Sequence, residues 1–229
     1  MNNTSSFLGF GSAVLGSILL LAFTFCFIAL IANNPQMPAA WTTLPDYLAY
    51  TQQTDQALKY IAQCCMLLFC PLFVIMAFSL HEITPPAKQY WARLGSAFAI
   101  GFCVLTTTMY FVQLTTVRLG AKGIYTSGIE QFIQFYPYAG ILSIGMLGMT
   151  LFLGLASLCM APLFRGNRLQ VCIRIFLLIN GFSCLSGGLA YAFDNVWVIN
   201  LTMNLGMGGS LLILTSLLAV YFSRQLRHL

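Results

Sequence analysis

Six long apolar runs fill most of this chain, and nearly every charge falls in the gaps between them. The runs are about Phe7–Ala32, Tyr60–Leu80, Ala92–Val117, Tyr138–Phe164, Val171–Phe193 and Val198–Phe222. Each reaches the ~20 residues with which an α-helix crosses ~30 Å of hydrocarbon. Lipid offers no partner to a backbone amide, so only helices and closed barrels span it. Runs this long, without period-2 alternation, are helices rather than barrel strands. The expected fold is all-α: a polytopic integral membrane bundle of six transmembrane helices with short amphipathic outer segments. It forms one membrane domain over residues 1–229.

Charge agrees. Only 7% of residues are charged and 59% are hydrophobic, whereas soluble domains carry ~25% charge. No soluble domain fits in the gaps, the longest of which is Asn33–Lys59. The net charge of +5 is a matter of membrane sides and not of nucleic-acid binding. Lys88, Arg93, Arg165, Arg168, Arg174, Arg224 and Arg227 fall on one side of a six-span chain. Lys59, Arg118 and Lys122 fall on the other, beside Asp46, Asp55, Glu130 and Asp194. The positive-inside rule then places both termini in the cytoplasm. Arg174 is expected to snorkel to that interface. Met1–Ser6 carries no positive charge and no small-x-small site follows the first run, so that run is expected to be an uncleaved helix.

The gaps carry local signals. Asn33-Asn34-Pro35 ends the first helix. Leu44–Leu58 is expected to lie as an interfacial helix, with Pro45 in its first turn and Trp41, Tyr47 and Tyr50 at headgroup level. Pro71 is expected to kink the second helix. In the third gap, Thr126–Phe135 is expected to form a short amphipathic helix capped by Ser127 with Glu130 three residues on, before Pro137 starts the fourth span. Gly140, Gly145, Gly148 and Gly154, then Gly181, Gly187 and Gly188, then Gly206, Gly208 and Gly209 predict a closely packed half built from the last three helices. Asn180 shares a face with Cys184, and Asn200 with Asn204 and Gly208; these amides are expected to bond across helices.

Catalytic chemistry is poorly represented. H-E-x-x-H, G-x-S-x-G and phosphate-loop patterns are missing, and no acid, lysine or histidine lies mid-run. Six of the eight cysteines lie within apolar runs, where the residue acts as a small hydrophobe, and Cys64-Cys65 point different ways on a helix. No catalytic residue, metal ligand or cofactor is assigned. An intramembrane enzyme would need a nucleophile–base pair or a metal, and neither is found.

The remaining constellation lies on the outer side. Thr106, Tyr110, Gln113 and Val117 share one face at i, i+4, i+7 and i+11. Arg118 ends that helix, Glu130 and Gln134 follow in the gap, and Asp194, Asn195 and Asn200 mark the last outer turn. Arg118 either pairs with Glu130 or Asp194, or holds the anionic group of a lipid or small solute.

The stretch Tyr110-Phe111-Val112-Gln113-Leu114-Thr115-Thr116-Val117-Arg118 and the later Gly128-Ile129-Glu130-Gln131-Phe132 resemble a family of uncharacterised bacterial six-helix multi-pass membrane proteins. Leu80-His81-Glu82 with Pro85-Pro86, and Asn204-Leu205-Gly206-Met207-Gly208-Gly209, fit as well. The resemblance implies a multi-pass protein of the bacterial inner membrane and supplies no mechanism. Two functions stay open. One is a polar pocket near the outer leaflet that binds or passes a small amphiphile or lipid. In it, Arg118 is the charge partner and Tyr110, Gln113, Glu130, Gln134, Asp194, Asn195 and Asn200 are candidate contacts. The other is a structural or assembly subunit acting through the glycine-rich faces of the last three helices. The expected partners are membrane lipids, a small amphiphilic ligand, and a second copy or a membrane partner subunit.

Overall fold

The computed structural model describes residues 3–33, 43–122, 127–134, 136 and 139–227. Seven helices are built from them: α1 (Asn3–Asn33), α2 (Leu44–Gln53), α3 (Ala57–Ile83), α4 (Pro86–Gly120), α5 (Gly140–Leu163), α6 (Arg168–Ala192) and α7 (Val196–Arg227). All but α2 are long and apolar enough to cross a membrane. The chain is an all-α multi-pass membrane protein.

The apolar runs become helices because every backbone group is then satisfied within its own segment. The spans pack in chain order, and α7 returns to α1, so the six close into a ring. Its interior is filled by Phe69, Phe73, Met76, Phe102, Met109, Leu153, Phe164, Leu177, Leu211 and Phe222, all at most 3% exposed. Phe73 meets Phe102 edge-on at 5.5 Å between centroids. The outer surface is apolar too: Phe25, Phe182, Leu189 and Leu205 are all more than 60% exposed. In water such a surface would aggregate; in lipid it is the solvated face.

Glycines set the helix separations. A side chain at Gly154 would lie 3.2 Å from the Gly181 carbonyl, and one at Gly181 would lie 3.1 Å from the Gly154 carbonyl. Here α5 and α6 touch through bare backbone. Gly145 and Gly148 face Met109 and Thr106, so α5 presses on α4 as well as on its successors. Gly208 and Gly209 differ: Gly208 is near only its own helix, and nothing lies within 4 Å of a side chain built at Gly209.

At mid-bundle a polar node ties α5, α6 and α7. Asn180 is fully buried. Its Oδ1 accepts from Ser157 Oγ at 2.8 Å, and its Nδ2 donates to the Met207 carbonyl at 3.1 Å and to Ser210 Oγ at 3.0 Å. Ser210 Oγ in turn donates to the Gly206 carbonyl. Cys184 Sγ, predicted on the same face, lies 3.7 Å from Asn180 Oδ1. The node sits where α7 is wound wide, in a π stretch over Leu201–Gly209. A side-chain amide here meets a carbonyl in a stretch where the usual i→i−4 ladder is altered.

Two sequence expectations are corrected. The interfacial helix stops at Gln53, where Thr54 bonds back to the Tyr50 carbonyl, and α3 begins at Ala57 instead of Tyr60. The described part of the predicted Thr126–Phe135 helix is one 3-10 turn, Ile129–Phe132, and Ser127 does not cap it. Gly128 adopts φ 85°, a left-handed conformation that breaks helical entry just before the turn. Pro45 does sit in the first turn of α2, capped by Thr43. Pro71 lies inside α3, which runs on through it. Trp41, Pro35 and Pro137 lie outside the described residues.

Candidate functional site

At the distal rim, the end of the ring away from the termini, α4 presents the predicted inward face. Thr106, Tyr110, Gln113 and Val117 are all buried, none more than 4% exposed. From Gln113 to Val117 the helix widens into a π turn. Such a turn re-aims the side chains it carries. The Gln113 amide lies against the following loop. Its Nε2 donates to the Phe132 carbonyl, and its Oε1 accepts the Gln134 N–H at 2.9 Å. One side chain thus supplies donor and acceptor to loop backbone that has no ladder of its own. The Gln134 side chain accepts from Gln63 Nε2 at 3.2 Å and lies beside the Tyr110 hydroxyl.

Above this floor sits a shelf of cations and tyrosines. Tyr47 of α2 is 2% exposed and packs with Val117, Ile129 and Ile133 in a small satellite core that docks α2 on the rim. Burial pushes its phenol above the ordinary tyrosine value, reinforced by the neighbouring Tyr60 and Tyr50 phenols. Lys59 Nζ donates to the Tyr47 hydroxyl at 3.2 Å and to Gln56 Oε1 at 3.0 Å. It also lies 5.1 Å from the Tyr47 ring centre and 5.5 Å from that of Tyr60. The Arg118 guanidinium lies 5.9 Å from the same Tyr60 ring. Two cations therefore approach one aromatic ring.

Neither has a carboxylate partner among the described residues. Among the described residues the one ion-pair contact is His81 with Glu82, 3.6 Å apart near the opposite end of α3. The expected pairing of Arg118 with Glu130 or Asp194 is not formed. Arg118 is exposed in the last turn of α4, whereas the 3-10 turn buries one Glu130 carboxylate oxygen, which has no hydrogen-bond partner. Gln63 Oε1 and Thr106 Oγ1 are also buried without a partner. Ser6 Oγ, His81 Nε2 and Ser96 Oγ, toward the terminal end, are buried without a partner as well, and each such group calls for an explanation.

The structure does not assemble all eight predicted residues into one site. Tyr110, Gln113, Gln134, Glu130 and Arg118 share the α4 rim. Asp194 is an exposed turn residue at φ 54°, a conformation aspartate tolerates. Asn195 caps α7, accepting the Val198 N–H at 3.2 Å. Asn200 is exposed on α7. No hydrogen bond or ion pair among the described residues joins these three to Arg118.

Two contributors escaped sequence reasoning. Gln63 is 3% exposed, and Gln63, Met66, Cys70, Phe73 and Ala77 form a buried stripe at helical spacing. A glutamine in phase with a core stripe was a readable signal. Lys59 was read only as an outer charge, because its aromatic partners come from a separate helix. A hollow of about 400 Å³ lies instead at the terminal end, lined by Phe10, Ala219, Val220, Ser223, Arg224 and Arg227. No family model, no curated protein and no solved structure matches the chain.

Proposed function

We propose that this chain is a non-catalytic protein of the bacterial inner membrane that holds the anionic headgroup of an amphiphile on its distal rim. Both termini are cytoplasmic in this reading, and the rim faces the outer leaflet. The seven cationic residues at the terminal end support that orientation, and the resemblance to bacterial multi-pass proteins supports the compartment.

One observation carries the proposal. Lys59 and Arg118 both approach Tyr60, and among the described residues neither forms an ion pair with a carboxylate. Like charges brought together at a membrane surface repel unless an anion joins them. Arg118 offers a planar fork suited to phosphate or carboxylate, and Lys59 a point charge. Gln113, Gln134, Gln63 and Tyr110 form the floor beneath, and the acyl part of the ligand stays in the bilayer. Membrane depth makes a lipid or lipid-like acid the natural occupant.

The experiment is ligand-dependent thermal stabilisation in detergent, titrating short-chain phosphatidylglycerol against the matching phosphatidylcholine. The anionic lipid should raise the melting midpoint of the wild type. Arg118→Ala should fold normally and lose most of that rise, because binding to the folded state stabilises it by mass action. An equal rise in Arg118→Ala and wild type, or an equal rise with both lipids, would overturn the proposal.

A further inference from the structure

We infer that the distal half of α7 is the contact face between two copies of this chain, which pair through Asn204 and Asn200 about a two-fold axis along the membrane normal. The placement of these amides is the starting point. Asn180, held by α7 through Met207 and Ser210, is the middle residue of α6. That contact marks the centre of the bundle. Asn204 lies three residues from Met207 and Asn200 seven, so they sit roughly 5 and 10 Å from the centre. Both depths fall inside a hydrocarbon slab ~30 Å thick. Yet both residues are exposed, and neither makes a hydrogen bond among the described residues.

Other polar groups on the spans are treated differently. Thr107, Thr108 and Thr115 on α4, and Thr202 and Ser216 on α7, each return a hydrogen bond to a carbonyl of their own helix. An asparagine amide carries both a donor and an acceptor that such a back-bond does not satisfy. Left facing lipid, both remain unmet, which a bilayer penalises.

The surroundings fit a second helix. At Gly208, the next position on the Asn200–Asn204 stripe, an added side chain would meet only the Met203 carbonyl of its own helix, and at Gly209 beside it nothing lies within 4 Å. Gly154 and Gly181 show what such glycines do when a partner is present, since there two backbones touch. Gly145, Gly148 and Gly154 of α5 and Gly181, Gly187 and Gly188 of α6 meet neighbouring helices, whereas Gly208 and Gly209 do not. The distal stretch Leu201–Gly209 packs on α6, and the proximal part of α7 packs on α1 and α6, so the stripe is left uncovered.

A second copy is the occupant the chemistry selects. Two copies inserted in the same orientation are related by an axis normal to the membrane, which sets α7 parallel to its mate with equal residues at equal depth. Asn204 then meets Asn204. Each amide donates through Nδ2 and accepts through Oδ1, so one pair satisfies itself in both directions. A different protein would need its own polar group at that depth; this chain supplies one by symmetry.

The test is energy transfer between donor- and acceptor-labelled full-length chains in phosphatidylcholine vesicles, over a range of protein-to-lipid ratios. The wild type should show saturable transfer. Asn204→Leu should weaken pairing about tenfold, the scale of one or two interhelical amide bonds in lipid. Asn204→Gln, which keeps the amide, should recover most of it, and Ile179→Leu on α6 should change nothing. Transfer no greater than random at every density, or equal transfer in Asn204→Leu and wild type, would overturn the inference. Isolation of the wild type with a stoichiometric different membrane protein, and no second copy, would overturn it too. If Asn204→Leu does not fold, Gly209→Cys in a Cys64→Ser, Cys172→Ser background gives the answer: oxidant should yield a covalent dimer, and its absence rejects the face.

Discussion

The mid-bundle node around Asn180 and the distal rim around Gln113 are both organised by buried amides, and they are finished differently. At the node, Asn180 uses its oxygen and its nitrogen, and the partners come from α5 and α7. At the rim, both ends of the Gln113 amide are used, but among the described residues Gln63 Oε1, Thr106 Oγ1 and one Glu130 oxygen remain unmet, and two cations stand without a carboxylate. A completed network fixes helices in place. An incomplete one keeps hydrogen-bonding and electrostatic capacity for something outside the chain. The difference separates a structural device from a binding surface made of similar residues.

The largest effect should come from breaking the node. Asn180→Leu leaves the Met207 carbonyl, Ser157 and Ser210 short of a partner in a dry interior. Each stranded group costs about 1–3 kcal/mol, and Ser210 keeps the Gly206 carbonyl, so the total loss should lie at the lower end of the sum, about 3 kcal/mol. In a chain of this size that is roughly 6–12 °C in the detergent melting midpoint. A drop below about 2 °C would mean that lipid-solvated packing, and not the node, sets α5–α7 together.

Gly181→Ala should come next. The new methyl would press on Leu158 and stand 3.1 Å from the Gly154 carbonyl, and overpacking of this kind costs about 1–3 kcal/mol. Gly11→Ala on α1 is the control, because nothing lies within 4 Å of its added atom. Its intramolecular melting midpoint should stay level or rise slightly with helix propensity. Equal destabilisation by both substitutions would erase the contrast between packed and open glycines.

At the rim, Gln113→Leu should act locally. It removes both contacts that hold the Phe132 and Gln134 backbone, worth about 1–2 kcal/mol in loop stability. Hydrogen exchange in residues 127–134 should quicken several-fold while the spans keep their protection. Loss of protection through all six spans would show that Gln113 is part of the structural core and not a clamp on one loop.

The elements of this contrast were unequally legible in the sequence. The six spans were plain, because a length of apolar residues is itself the structural requirement in lipid. The inward face Thr106–Val117 was plain as well, because polar residues at helical spacing have one place to go. The fate of Gln113 was hidden, since its partners are main-chain atoms of Phe132 and Gln134, and backbone has no sequence signature. Nor could the asparagines be told apart. Asn180 and Asn204 both lie in apolar runs among glycines, yet one is buried and the other exposed. That distinction arises only when the ring closes and α7 gives one side to α6. The π turns at Gln113–Val117, Gly148–Phe152 and Leu201–Gly209 were equally invisible, because they are changes of main-chain register and not of composition.

The smallest expected effect tests how α2 is fastened to the rim. Tyr47 anchors it by burial and by accepting from Lys59. Burial raises the folded-state pKa of the phenol, so the docked state holds the proton more tightly than the undocked state. The stabilisation is fully present below the ordinary tyrosine value of ~10 and declines as pH rises beyond it. Proteolytic nicking across residues 53–56 should therefore accelerate from about pH 10 upward, while the spans stay intact. Tyr47→Phe keeps the ring packing, loses one Lys59 contact worth under about 1 kcal/mol, and should flatten that alkaline rise. Lys59 keeps Gln56 as a partner in the variant, so nicking at pH 8 should barely change. An alkaline rise that survives Tyr47→Phe undiminished would place the proton elsewhere and would detach Tyr47 from the electrostatics of the rim.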